Sequence, residues 1–194
     1  VISLGSQTRG VPPPATGPTT AGTDGERREP CRSSVTPLPT LTRMIHWMTA
    51  FVDRPVGTIE AATSCWAAAT ATRLSPSRGD RDEFRTLVPS DGDPHLRVQA
   101  VTDGPGGVHL DLHVADIEVL ADRAVGLGAS VVARPGHVVL RSPGGLLLCA
   151  VGHHGEHRVP APVSLPDGGT TRVDQVSIDV PGERFDDEIR FWSD

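Results

Sequence analysis

Three side chains able to do chemistry stand at alternate positions of one short stretch, GVHLDLHVA at 107–115: His109, Asp111 and His113. An imidazole titrates near neutrality, so it can carry a proton or hold a metal ion. Asp111, two residues from each histidine, can orient either ring. For His109 two readings stand side by side, a hydrogen-bonded imidazole lining a cleft and a metal-binding or acid–base group. Cys149 lies in the aliphatic run LLLCAV. There it is either a small packed hydrophobe or, as a thiolate, a ligand for a soft metal, and apolar surroundings favour the first by raising a thiol's pKa. His153, His154 and His157 have the composition of a metal cluster. They fall in a glycine-containing linker without fixed geometry, and a solvated loop is the expectation.

The elements that must position these groups follow from periodicity. Val108, Leu110, Leu112 and Val114 alternate with the polar set, which is the pattern of a strand buried on one face. Asp116 then reads as the N-cap of a helix with Ile117, Leu120, Ala121, Ala124 and Leu127 on its apolar side. SVVAR, HVVLRS and LLLCAV are three further strands, the last two joined by the SPGG turn at 142–145. This turn precedes a strand and no helix, so it is not a phosphate-binding loop.

The same order stands upstream. IHWMTAFVD is a strand, and a helix through Ala71 carries Ile59, Ala62, Trp66 and Ala69. A short strand opens RLSPSRGDRDE, and FRTLVP and HLRVQAV complete the set. Two βαβββ units therefore occupy the region from Ile45 to about Gly152. Neither can cover its own sheet, and pairing them into one curved sheet is the natural solution. Residues 1–43 are rich in Pro, Gly, Ser and Thr with no period, so they read as a disordered extension, and Met44 as the native start. Residues 154–171 form a linker. At 172–194, SIDVPGERFDDEIRFW superimposes on the start of the first unit, with Asp53 on Asp179, Pro55 on Pro181 and Trp66 on Trp192. We read it as the truncated start of a second domain. Its stripe of Phe185, Ile189 and Trp192 must dock or promote association, and removing everything after Gly168 is expected to leave the domain at 44–153 folded.

The strands VHLDLHVADIEVLADRAVGLGA and VVLRSPGGLLLCAV, together with AFVDRP and SIDVPGERFDDEIRFW, resemble the vicinal-oxygen-chelate superfamily and its glyoxalase-like, bleomycin-resistance and dioxygenase branch. The resemblance implies an α+β fold: two paired βαβββ modules forming a cup-shaped, eight-stranded mixed sheet with helices on its outer face. It implies four ligand positions in the metal-dependent members, which fall here on Thr49, Gln99, His109 and Cys149. Threonine is a weak ligand and glutamine is neutral, so this set makes a poor metal centre. Trp47 and Phe51 share a strand face with Thr49, which suits an organic ligand better than an exposed ion.

The expected cup-lining residues are Thr49, Phe51, Gln99, His109, Asp111 and Cys149. The expected function is binding of a small organic molecule without a cofactor. The alternative is a lyase or dioxygenase of the glyoxalase or extradiol type, with Zn, Ni, Mn or Fe on His109, Gln99 and Cys149. A net charge of -6, with no clustered arginine run, argues against nucleic acid as a partner. No apolar run is long enough for a membrane helix. Three dispersed cysteines and the lack of an apolar leader point to the cytoplasm. A homodimer, or pairing with the missing second domain, is the expected association.

Overall fold

The computed structural model describes residues 2–5, 40–164 and 168–194. An eight-stranded mixed sheet organises the domain. Its first module runs β2 (Ile45–Pro55), α1 (Ile59–Thr70), β3 (Arg73–Leu74), β4 (Phe84–Val88) and β5 (Leu96–Val101), β1 being Ile2–Gly5 outside this sheet. Its second runs β6 (Gly107–Val114), α2 (Ile117–Gly126), β7 (Ser130–Ala133), β8 (Val138–Arg141) and β9 (Leu147–Gly152). The strand order is β3-β4-β5-β2-β6-β9-β8-β7. β2 pairs β5 in parallel and β6 pairs β9 in parallel, while the modules meet through one antiparallel pair, β2 with β6. The two-module α+β architecture read from the sequence is the observed one.

Alternation decides which face goes where. Leu110, Leu112 and Val114 of β6, Ala50 and Val52 of β2, Val98 of β5 and Leu148 and Ala150 of β9 are buried in one apolar cluster. α1 covers this face at β2 and β5, and α2 covers it at β7, β8 and β9. Asp116 caps α2 as expected, its carboxylate accepting the N–H groups of Glu118 and Val119 at 3.0 and 3.1 Å. No helix among the described residues is long and apolar enough to cross a membrane.

Two regions depart from the expectations. The extension predicted over 1–43 lies outside the described residues except at its ends. Ile2–Gly5 forms β1 and pairs with β11 (Thr170–Val176), since an edge strand needs only free backbone groups to pair and no hydrophobic period. Leu41 opens a 3-10 turn, Leu41–Met44, and is fully buried in the core.

The second departure is the C-terminal segment, where β11 pairs also with β10 (Val163–Ser164) and α3 (Phe185–Ser193) follows. α3 seats on the 3-10 turn that itself packs on α2. Its buried residues are Glu188 and Phe191, with Trp192 half-buried beside them, whereas Phe185 and Ile189 face solvent. The stripe read from the sequence is thus rotated, because the carboxylate of Glu188 finds partners inside. It accepts the Gly144 N–H at 2.6 Å and the Trp192 Nε1–H at 2.9 Å.

Candidate functional site

The face of the sheet opposite the helices carries the odd-numbered residues of the central strands in ordered rows. Across one row stand Arg97, Phe51, His109 and Leu147, and across the next Thr49, Asp111, Cys149 and Val139. A third holds Trp47, His113 and Val151. The first row, with Asp111, Cys149 and Val139 of the second and Val151 of the third, floors an open cleft of about 510 Å³, whose apolar walls include Phe51, Phe84, Val101, Val139, Leu147 and Val151. The volume is that of a pocket for a small organic ligand.

Phe51, Gln99, His109, Asp111 and Cys149, five of the six residues expected to line the cup, share this cleft. Thr49 does not line it. Its side chain points to the same face but is wholly buried, its hydroxyl engaged with His113 Nε2 at 3.0 Å.

His109 is the most elaborately held group. Its ring stacks on Phe51, with centroids 4.3 Å apart and planes 16° from parallel. Its Nδ1 meets Asp53 Oδ2 at 2.7 Å, and its Nε2 lies 3.9 Å from Asp111 Oδ1. Asp53 sits at the end of β2, one pairing step beyond Phe51, which aims its carboxylate diagonally across β6 at His109. With an Nδ1–H donated to Asp53, the bare Nε2 would face the cleft, the orientation a carboxylate imposes on a histidine base. The other oxygen of Asp53, Oδ1, is buried without a protein partner.

Two arginines complete the lining. Arg97 stands over the far face of Phe51, its guanidinium carbon 5.5 Å from the ring centroid. Burial pulls its pKa down, the Asp111 carboxylate opposing that shift, and it remains a cation at neutral pH. Its Nε is buried with no hydrogen-bond partner. Arg78 reaches the rim, donating to Thr86 Oγ1 at 2.7 Å and Ser75 Oγ at 2.9 Å. Sequence reasoning missed Asp53, Arg78 and Arg97 as cleft residues. The signal for Arg97 was present, since in HLRVQAV it alternates with Leu96 and Val98 and shares a face with Gln99.

The sequence profile of the glyoxalase-like domain matches residues 49–151, more than half of the chain and most of the eight-stranded sheet. This chain belongs to the glyoxalase-like domain family. That membership places it in the vicinal-oxygen-chelate superfamily, as its strand pattern implied. In solved structures the glyoxalase-like domain is similar to a glyoxalase/bleomycin resistance protein/dioxygenase superfamily member from Vibrio splendidus 12B01, at 18% identity, over 53% of this chain and 95% of that one, TM-score 0.38. It is similar to methylmalonyl-CoA epimerase from Streptomyces coelicolor, at 15% identity, over 58% and 98% of the two chains, TM-score 0.42. A Mn(II)-bound glyoxalase from Novosphingobium aromaticivorans matches at 19% identity, over 61% of this chain and 42% of that one, TM-score 0.36. No curated relative matches the sequence.

Whether the glyoxalase-like domain could hold a divalent ion at the positions the superfamily uses is a question of its donors. Thr49 is spent on His113, and His109 is stacked on Phe51 with its Nδ1 engaged by Asp53. Gln99 is a neutral amide. Cys149 has its thiol held protonated, since burial first, then the Asp111 charge and a hydrogen bond to that carboxylate, push its pKa up to about 12. These four residues do not fit a divalent ion. A different trio, His109, Asp111 and Cys149, brings one ligand atom each within 4.8 Å of the others, but there too the thiol must first lose its proton.

The Cys149 environment carries a checkable consequence. In the native glyoxalase-like domain at mildly alkaline pH, iodoacetamide should label exposed Cys65 and spare Cys149 until the chain is denatured. Between the thiol's ordinary 9.0 and about 12 only the unfolded chain ionises, so stability should fall as pH rises through that window. Peptide mapping and melting curves in Cys149→Ser read both effects. Rapid native labelling of Cys149, or an unchanged alkaline limb in the serine variant, would contradict them.

Proposed function

We propose that the cup binds a small organic molecule bearing a carboxylate or comparable oxyanion, without a metal ion at the superfamily's ligand positions. The observation that carries this reading is Arg97, a half-buried cation on the cleft wall whose Nε is buried and has no acceptor in the protein. A half-buried guanidinium with an unpaired Nε–H is stabilised by an anionic oxygen. Phe51, Phe84 and Val139 supply the apolar wall for the rest of the ligand, and fill the role that binding pockets assign to such side chains.

Proton transfer on the bound molecule is the second reading, favoured by the Asp53–His109 contact of 2.7 Å. With its Nδ1 held by Asp53, His109 could take a proton at Nε2 from an acidic C–H or O–H next to the oxyanion. This keeps the lyase alternative in view but routes it through the imidazole.

Calorimetric titration with a panel of small hydroxy- and keto-carboxylates and their methyl esters tests the first reading. Acids should bind and their esters should not, and Arg97→Gln should weaken the best acid about tenfold to a hundredfold, the worth of a charge-assisted hydrogen bond. Equal affinity for acid and ester, or undiminished binding in Arg97→Gln, would remove the arginine from the site. Solvent deuterium exchange into the bound acid, lost in His109→Ala, tests the second.

A further inference from the structure

Two residues beyond Asp111 on β6, about 6.6 Å along the strand, the same face carries a second cluster that the cleft does not use. His113 is 2% exposed, and Thr49 Oγ1 meets its Nε2 at 3.0 Å. Its other nitrogen, Nδ1, is buried with no hydrogen-bond partner. His153 Nδ1 is likewise buried and unpartnered. Between them lies Glu156 Oε2, 3.7 Å from His113 Nδ1 and 3.5 Å from His153 Nδ1. Each residue offers one ligand atom, and the three lie within 4.8 Å of one another. Two unsatisfied imidazole nitrogens converging on one carboxylate oxygen are a polar cluster that a cation would satisfy.

The loop that brings Glu156 here leaves His154 and His157 exposed, as the solvated linker expected from HHGEH required, but hydrogen bonds hold its backbone and His153 is half-buried. His153 extends the β6–β9 ladder, its N–H donating to Val114 O at 3.0 Å. Its ring stacks on His46, with centroids 5.1 Å apart. Beyond Gly155 the chain is pinned by Asp93, whose Oδ2 accepts the N–H groups of His157 and Arg158 at 2.9 and 2.8 Å. The Asp93 N–H returns a bond to Arg158 O at 2.7 Å. Gly92 allows this approach: its φ is +87°, and a Cβ there would stand 2.6 Å from Pro160 Cα.

We propose that His113, His153 and Glu156 form a binding site for a divalent transition-metal ion of the Zn(II) class. Two imidazoles and one carboxylate are a ligand set of catalytic and open zinc sites, with a solvent molecule in the fourth position. Tetrahedral ligands about 2.0–2.1 Å from an ion stand about 3.3 Å apart; the two distances to Glu156, 3.5 and 3.7 Å, need to close by a few tenths of an ångström, and the two imidazole nitrogens, within 4.8 Å of each other, draw together by side-chain rotation. The side chains of Glu156 and His153 are 21% and 23% exposed, which gives the ion an entry and an open coordination position. Thr49 is the supporting residue: by holding His113 Nε2 it turns Nδ1 toward the ion, the usual arrangement behind a ligating histidine.

The protonation states agree with the geometry. Burial lowers the His113 pKa, against the opposing charges of Glu156 and Asp111, and favours the neutral, ligating imidazole. At Glu156 burial pulls upward, but its own N–H and that of His154 outweigh it and hold the carboxyl below its ordinary range. The site shares no residue with the His109–Asp111–Cys149 trio.

The test uses the untagged full chain, freed of metal with a chelator and titrated with ZnCl₂ by calorimetry and with CoCl₂ by visible absorption. One equivalent of Zn(II) should bind, and Co(II) should give the strong d–d bands of a four-coordinate ion with no thiolate charge-transfer band. His153→Ala and Glu156→Gln, both near the surface, should each weaken Zn(II) more than a hundredfold while melting like the parent in chelator. Thr49→Val should weaken it about tenfold or more, as loss of a supporting hydrogen bond does. Cys149→Ser should leave it within a factor of two. Absence of stoichiometric binding, a thiolate band abolished by Cys149→Ser, or full affinity in His153→Ala would each overturn the proposal.

Discussion

Replacing Phe191 by alanine is expected to lower the unfolding free energy by about 3–5 kcal/mol, the range for truncating a fully buried aromatic side chain. Phe191 is 0% exposed and belongs to the same apolar cluster as Leu41, Leu120 and Leu148. The Trp192 ring meets it edge-on at 5.1 Å. Around it α3 is fastened by polar contacts at both ends: Glu188 accepts the Gly144 N–H in the turn between β8 and β9, and Arg123 of α2 donates to Asp194 O at 2.8 Å. Removing everything after Gly168 would strip all of this from the core and leave the Gly144 N–H without its acceptor. Such a truncation is therefore expected to destabilise the domain. Urea denaturation of Phe191→Ala reads the effect directly, and a loss below about 1 kcal/mol would mean that α3 is only laid against the surface.

The second large effect contrasts neighbouring residues on one strand. Leu110→Ala should cost about 2–5 kcal/mol, whereas His109→Ala should cost much less and act instead on whatever the cup binds. Leu110 is 1% exposed beneath the helices, and its Cβ points to the face opposite that of His109. Losing Leu110 leaves a cavity among Leu112, Leu148 and Val52 that close packing cannot collapse. Losing His109 opens the cleft wider, and water can enter and hydrate Asp53. Denaturation curves for the two variants side by side decide the matter; comparable losses in both would show that His109 is a core residue.

Much of this architecture was legible because β6 is so regular. The alternation in GVHLDLHVA sorted Leu110, Leu112 and Val114 to the helix-covered face and His109, Asp111 and His113 to the other, and Asp116 announced the start of α2 as its cap. What failed did so where the decisive relation joins distant residues. Asp53 meets His109 only through the antiparallel register of β2 on β6, which no local period encodes. Thr49 lies on the predicted face, yet its neighbour across the row diagonal is His113, and that hydrogen bond closes it off from the cleft. In α3 the spacing of Phe185, Ile189 and Trp192 gave a plausible apolar stripe, but a charged residue, Glu188, is what enters the interior. A glutamate with two buried donors waiting for it reads in sequence like any surface glutamate. The loop at 153–158 looked shapeless because the side chain that shapes it, Asp93, comes from the other module.

The cleft's floor lies on β2 and β6, strands flanked on both sides by hydrogen-bonded neighbours at the middle of the sheet. Backbone amides in such a position exchange with solvent only through the largest opening events of a domain. If the cleft binds as proposed, a guest molecule would meet a floor whose shape is set before it arrives, and little ordering entropy would be spent on association. Selectivity among such guests would then pass to the margin, where Arg78 and His137 stand outside the regular strands. Changes at that margin can retune which compound is accepted while the central ladder, and with it the stability of the fold, stays as it was.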